Sequence, residues 1–577
     1  MKDTKRIAIL GGGPSGLFMF KRFVDAGFTG AEIHIFEKKK LLGAGMPYSQ
    51  EGAGEEHITN VSGNEIPELV TSIADWIETA PKSTLERFNI TPQIYNDYKV
   101  LPRLLFGEYL SAQFELLKKK ADEVGLAYEI HYNSTVTDIT DYQQQNLVQV
   151  QINGTDLYDF HRVIVCTGHN WPHKHDGKIP GYFDSPYPPM KLHLQADHPV
   201  AIKGASLTAV DALRTLARAN GSYYKNDEGK LVYQLADSSH GFKMVMHTRN
   251  GLLPAVRFHL EDSHLSNDSL LTEEEIAAHI VANGGFLSLD YIFEQDFKEI
   301  FRDKEPEFYQ LIKNMSMETF VNAMMAMREN LDPFELMKLE YREAEISIKQ
   351  RKSVYWKEML GVLSFAMNYP AKHFSAEDIR RLQKTLAPLI SVVIAYIPQS
   401  SCEEIFALHN AGVLEMVIVG DDGEEKAESQ GGATYHYTDE NGKKQAVYYK
   451  TFVNCVGQPH LLYEDFPFKG LLKHKTVSPA RLKYRSAAEG KKAQEKDSKR
   501  VEQDANGDYY MRVAGITIND SFNVVDDYGA LNERLYIMAV PYIGGLNPDY
   551  SGLDFCEEAS ERIITSILKN EHAVTTD

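Results

Sequence analysis

The sequence predicts an α/β protein built from two Rossmann-like dinucleotide-binding units, the second inserted into the first, plus a mainly helical insertion. Three observations predict it. A short apolar run near the N-terminus opens directly into a glycine-rich turn and then a helix. A second, degenerate turn of the same kind recurs about 190 residues later. Between residues 260 and 400 apolar side chains recur at helical rather than strand spacing.

In the first unit, Arg6 to Leu10 reads as a buried strand, and Leu17 to Val24 reads as a helix. Between them stand Gly11, Gly13 and Gly16, with Pro14 and Ser15, in the G-x-G-x-x-G pattern. Gly11 suits a tight turn, Gly13 lets backbone approach a pyrophosphate, and Gly16 lets helix and strand pack closely. The helix start then offers free N–H groups and a positive dipole end to phosphate oxygens. A second strand, Glu32 to Phe36, ends in Glu37, which is placed to accept ribose hydroxyls, with Lys38 beside it.

Later strands follow in order. Tyr158 to Cys166 reads as one strand closing at Thr167, Gly168 and His169. His198 to Lys203 is a strand running into Gly204, Ser206, Leu207 and Thr208, a G-x-S-x-x-A variant of the same turn, and a helix continues through Leu216. Phe242 to Thr248 is the next strand. It ends in Arg249 rather than an acid, which favours a 2′-phosphate and hence NADP over NAD. Thr451 to Val456 closes at Gly457 and reads as a return to the first domain, as does Arg534 to Val540. The predicted division is 1–195 and 451–577 for the first domain, 196–260 and 400–450 for the second, and 261–399 for the helical insertion. Residues 486–506, rich in Lys, Glu and Gln, read as a solvated excursion.

Composition narrows the functions. The 577 residues carry a net charge of −20, which repels phosphate backbones and anionic lipid, so neither nucleic acid nor a membrane is an expected partner. Four dispersed cysteines without a CxxC exclude a zinc ribbon and a dithiol redox centre of the usual spacing, and no metal is expected. Sparse cysteine, no leader-like start and no long apolar run predict a cytoplasmic location. Oligomeric state is not legible.

The motifs together resemble the two-dinucleotide-binding-domain flavoproteins, and more closely the bacterial "FAD/NAD(P)-binding protein" family. The resemblance rests on the GGGPSG start, Gly43 to Tyr48, His57 to Val61, Pro102-Arg103 with Gly107 to Leu110, Thr167-Gly168-His169, Gly204 to Asp211, and Arg249 to Pro254. It implies that FAD occupies the first cradle and NADPH or NADH the second. By the same resemblance Met46, Pro47, Tyr48, Asn60 and Val61 line the flavin, Arg103 faces FAD phosphate or ribose, and Val136 supplies main-chain contacts to adenine. It also implies that a late unit through Asp549, Gly552 and Leu553 completes the flavin pocket. The implied activity is an FAD-dependent oxidoreductase reduced by NADPH. An O2-activating monooxygenase of a small molecule is the leading reading; a flavin-dependent reductase or dehydrogenase, or an FAD-binding regulatory protein, is the alternative. The residues nominate no catalytic acid or base.

Overall fold

The computed structural model describes residues 5–168, 173–261, 270–458, 460–546 and 552–576. Its first sheet is organised around Lys5–Leu10, where Ile7 to Leu10 are wholly buried. Such a run reads as a strand covered on both faces, and it lies parallel to Ala31–Glu37 on one side and Arg162–Val165 on the other. Tyr128–Tyr132 extends the sheet beyond Ala31–Glu37; Leu531–Ile537 and then the antiparallel Asn523–Val525 extend it the other way. The strand order therefore reverses at Lys5–Leu10, which opens a crevice at the carboxyl ends of the strands. Helices Pro14–Asp25 and Arg103–Glu123 meet through the stacked rings of Phe20 and Phe114, with centroids 5.4 Å apart.

The second sheet repeats this plan. Pro199–Lys203 is flanked in parallel by Lys243–Thr248 and Thr451–Asn454, with Leu414–Ile418 and Tyr182–Phe183 outermost. This corrects the reading of Val453 as a first-domain strand, since Val453 pairs with Ile202. The two closing strands carry the same kind of buried apolar run, so sequence alone does not say which sheet each one joins.

Two further readings change. The single strand expected from Tyr158 to Cys166 breaks at His161. Asp156–Phe160 closes a three-stranded meander, and Arg162–Val165 enters the main sheet. His161 marks the break, its N–H donating to the Arg6 carbonyl at 2.9 Å and its Nδ1 accepting from the Arg6 N–H at 3.1 Å. Residues 486–506 are not an excursion. Ser486 caps helix Ala487–Lys496, whose Gly490 sits against Tyr509, and Val501–Gln503 joins Pro479–Lys483 and Tyr509–Ile516 in a small sheet. Composition reported the exposed face and hid the packed one.

The helical insertion is present. It starts at helix Glu273–Ala282 with the expected capping box, in which Thr272 accepts from the Glu275 N–H. Its interior is aromatic: Phe297 lies 5.2 Å from Phe293, 5.1 Å from Phe301 and 5.1 Å from Phe320. This core is continuous with that of the first domain. The insertion leaves and returns side by side, the Arg257 N–H donating to the Ile397 carbonyl and the Ile397 N–H to the Ala255 carbonyl. Among the described residues no helix is long and apolar enough to cross a membrane.

Candidate functional site

Two cradles of matching geometry face the carboxyl ends of the two sheets. In the first, Gly11 has φ +115° and donates its N–H to the Phe36 carbonyl at 2.9 Å. A Cβ there would lie 2.6 Å from the Cys166 carbonyl oxygen. In the second, Gly204 has φ +104° and donates to the His247 carbonyl at 2.9 Å, and its Cβ would lie 3.0 Å from the Cys455 carbonyl oxygen. The closing strands are tied alike, Cys166 N–H to Leu10 and Cys455 N–H to Lys203, both at 2.9 Å. Each sheet thus presents the same turn, and only glycine adopts it without strain.

The other two glycines of the first cradle divide their tasks as expected. A Cβ on Gly16 would be 2.0 Å from the Gly11 carbonyl oxygen, so this position serves helix–strand packing. At Gly13 the nearest atom is the backbone Cα of Gly45 at 3.2 Å, and no side chain closes the approach. Gly13 caps helix Pro14–Asp25 without a side-chain bond, leaving the first turn available to an anion. Ser15 Oγ lies 3.5 Å from Cys556 Sγ, which brings helix Gly552–Thr576 against the cradle. Glu37 is buried and receives the N–H groups of Gly12 and Lys39, each at 2.9 Å, while Lys38 is exposed. An open Gly13, an uncapped helix start and a fixed carboxylate at the strand end fit the diphosphate and ribose of FAD.

The residues placed by resemblance fall around this cradle to differing degrees. Met46 and Tyr48 are half-buried and Pro47 exposed, the Tyr48 ring meeting Phe106 edge-on at 4.9 Å. Val136 starts a strand just after Ser134, whose N–H donates to the Glu37 carbonyl at 2.9 Å, so it lies beside the acid. Asn60 and Val61 sit on Ile58–Ser62; the Asn60 carbonyl accepts from Arg257 and that of Val61 from Thr59 Oγ1 at 2.7 Å. Thr167 follows the Cys166 carbonyl, and Gly168 is exposed. Gly552 opens its helix with φ +76° and Leu553 is buried. His169 and Asp549 lie outside the described residues.

Arg103 does something else. Its Nε donates to the Ile58 carbonyl at 3.0 Å, and its two terminal nitrogens grip Asp211 at 2.6 and 3.2 Å. All three of its nitrogens are thus engaged within the chain, two of them in an ion pair to the second-cradle helix.

In the second cradle, Ser206 caps helix Leu207–Asn220 without a hydrogen bond from its side chain, and Leu207 and Thr208 form the half-buried first turn. Thr248 stands where Glu37 stands in the first unit, its hydroxyl accepting from the Gly251 N–H at 2.8 Å. Arg249 beside it is exposed, and Gly457, with φ +83°, faces open space. His247 takes the place of Phe36. It stacks on Tyr435 at 4.1 Å, and burial pushes its imidazole down to about 4, so it packs as a neutral ring.

The sequence reading missed the seam between the cradles. Asp211 accepts from Arg103 and, at 2.6 Å, from the Tyr187 hydroxyl. His57 Nε2 lies 3.2 Å from the Asp211 carbonyl oxygen and 3.1 Å from Thr215 Oγ1, and Thr215 donates to Glu56 at 2.5 Å. Burial opposes the charge of Asp211, but Arg103 and then His57 hold its carboxyl below the usual range. Burial pushes the His57 imidazole down. A signal was available: Asp211 is flanked by Ala209, Val210, Ala212 and Leu213, and an acid in such an apolar run needs a partner. A second pair joins Arg257 to Glu65, with the Tyr396 hydroxyl donating to Glu65 at 3.2 Å.

All four cysteines are buried and free, and burial pushes every thiol up. His34, Glu129 and His131 are close enough to hold a cation. Arg6 Nε, however, donates to His34 Nε2 at 3.3 Å while His34 Nδ1 meets His131 Nε2 at 3.0 Å, so hydrogen bonds already engage these nitrogens.

The fold and its paired cradles define an α/β protein with two Rossmann-like dinucleotide-binding units. Residues 8–170 match the family described as FAD-NAD(P)-binding, and residues 272–394 match the YdhS-like middle domain. The chain is 28% identical over 476 residues to the uncharacterized protein YdhS of Escherichia coli (strain K12), covering 81% of this chain and 86% of that protein. Solved structures similar in layout include the bacillithiol disulfide reductase Bdr of Staphylococcus aureus (TM-score 0.42, 10% identity, 99% of this chain and 100% of that one). Another is the cadaverine monooxygenase DfoA of Erwinia amylovora bound to FAD (TM-score 0.45, 12% identity, 98% and 94%).

Proposed function

We propose that this protein is an FAD-dependent oxidoreductase that draws electrons from NADPH in preference to NADH and passes them to O2 and a small-molecule substrate, as a monooxygenase does. The carrying observation is the doubled cradle: Gly11 and Gly204 make the same turn, with the same backbone bond, on two sheets of one chain. When bound, FAD supplies the redox chemistry, accepting hydride from a nicotinamide. The chain's own residues bind and orient. Gly13 and the start of Pro14–Asp25 receive a diphosphate, and Glu37 receives ribose hydroxyls. Thr248 in the acid's place and the exposed Arg249 favour a 2′-phosphate on the second dinucleotide. The buried cysteines support the choice of acceptor, because thiols that resist deprotonation do not relay electrons to a disulfide. The helical insertion, sharing its core with the first domain, supports a cover that keeps water from the reacting atoms.

The test is anaerobic mixing of the FAD-loaded protein with NADPH or NADH, followed by admission of air. Loss of the yellow flavin absorbance, faster with NADPH, is expected. On reoxidation in the presence of substrate, oxygen should enter the product rather than appear wholly as peroxide. Flavin that stays oxidised with both nicotinamides overturns the proposal. Rapid reduction followed by complete recovery of peroxide across a broad panel of substrates overturns the monooxygenase part and leaves a reductase.

A further inference from the structure

The two cradles sit on different domains, so their cofactors meet only if the domains hold one relative orientation. Apolar packing reaches it only through the insertion, whose helix Pro333–Gln350 joins the second domain's core through Phe334, Met337 and Ala344 while its other helices join the first domain's. A cavity of about 720 Å³ runs along the seam, with Ile58 and Leu104 of the first domain among its lining residues, together with Pro189 and Met190 from the segment that leads into the second. Beside the cradles, what joins the two domains directly is polar and buried. Arg103 heads the helix Arg103–Glu123 of the first domain, and Asp211 lies one turn into the second-cradle helix, five residues after its cap at Ser206. Asp211 is only 5% exposed, and it is gripped by both terminal nitrogens of Arg103 and by Tyr187. One turn on, Thr215 is held by Glu56 and His57.

The second tie runs the other way. Arg257, entering the insertion from the second domain, donates to the Asn60 carbonyl, Ser62 Oγ and Glu65 of the first. One tie makes a ball joint. A second tie, anchored two residues along the same strand at Asn60, restricts the joint further and leaves rotation about the line that joins the two. That motion is opposed by the insertion, whose two chain ends are hydrogen-bonded to each other beside Arg257. Each pair is a buried arginine–carboxylate contact, and removing a single partner leaves the other charge buried without compensation.

We propose that Asp211 is a positioning residue for hydride delivery: acting through Arg103, it holds the second-cradle helix in register with the first domain, so the two cofactors meet without rotation of the domains. This rests on the functional reading above. The Asp211 carboxylate is engaged by Arg103 and Tyr187, and it sets where the start of its helix points. A misplacement near 1 Å is worth up to about a hundredfold in rate when reacting atoms must be held at contact distance.

Two measurements on the FAD-loaded full chain test it. In anaerobic rapid mixing with NADPH, Asp211→Asn is expected to lower the limiting rate of flavin reduction by about ten- to a hundredfold. The NADPH dissociation constant should stay within about twofold and the FAD content unchanged, since no cradle atom is altered. The kinetic isotope effect with deuterated NADPH should rise as hydride transfer becomes more fully rate-limiting. Thr215→Val, a milder change that spares every charge, should shift the rate the same way by less. Separately, spin labels on Glu123→Cys and Glu228→Cys, both exposed and one on each domain, should give a single narrow distance in the parent and a broad one with Asp211→Asn. An unchanged limiting rate in both variants, or an equally narrow distance distribution with Asp211→Asn, overturns the proposal. Parent protein that NADPH fails to reduce removes the functional reading instead, and the spin-label distances then decide this inference alone.

Discussion

At the residue scale the first cradle makes opposite demands of two glycines. Gly16 has no room for a methyl group, because a Cβ would sit 2.0 Å from the Gly11 carbonyl oxygen. Gly13 has ordinary φ and only the Gly45 backbone nearby at 3.2 Å, so a methyl group fits after a slight shift but stands where a diphosphate approaches. Gly16→Ala should therefore lower the melting temperature, by about 1–3 kcal/mol of stability. Gly13→Ala should leave melting of the apoprotein nearly unchanged and weaken FAD binding about tenfold or more. Thermal melts paired with FAD titration separate the two, and equal behaviour would refute the division of labour. At the second cradle, Arg249→Ala should raise KM for NADPH by about ten- to a hundredfold, the worth of a charge-assisted hydrogen bond, and leave that for NADH nearly unchanged. Glycine spacing is a local signal, so these positions were legible in the sequence. Arg103 was not. An arginine's partner is set by the fold, and a chain position that suits phosphate recognition equally suits a carboxylate 108 residues away.

At the scale of elements, the helix Leu207–Asn220 carries both the second cradle and the acid that ties it to the first domain. Asp211→Ala should cost about 3–5 kcal/mol, since it leaves the Arg103 guanidinium buried without its counter-charge. The same pair carries a pH dependence. The Asp211 carboxyl is held below its usual value when folded, so its contribution is fully present above the unfolded value of about 4. That contribution is lost as pH falls through the folded value, while the variant lacks this component. Acid denaturation of parent and Asp211→Asn, followed side by side, should show their difference in stability shrinking below about pH 4. The elements misread from sequence share one cause. Thr451–Asn454 carries a strand's pattern, but the identity of its neighbour is long-range information. Helix Ala487–Lys496 exposes most of its charged residues, so composition concealed the contact of Gly490 with Tyr509.

At the scale of the whole molecule, most of the helical insertion shares one apolar core with the first domain, whereas its helix Pro333–Gln350 packs into the second domain's core through Phe334, Met337 and Ala344. Phe297→Ala, in the middle of the insertion's aromatic chain, should cost about 3–5 kcal/mol and destabilise the first domain with it. Calorimetry should show the insertion and first domain melting as one unit. A separate low-temperature transition for the insertion alone would contradict the shared core. The sequence shows the α/β class, the two cradles and the helical insertion because each is written in local periodicity. It leaves the seam invisible, because Glu56, His57, Arg103, Tyr187 and Asp211 become neighbours only when both sheets are built. The central claim is that one chain carries two independent dinucleotide sites of the same construction. Calorimetric titration tests it most directly: the apoprotein should bind one equivalent of FAD, and the FAD-loaded protein one further equivalent of NADP+ with the flavin retained. Displacement of FAD by NADP+, or no binding of NADP+ by the loaded protein, would contradict it.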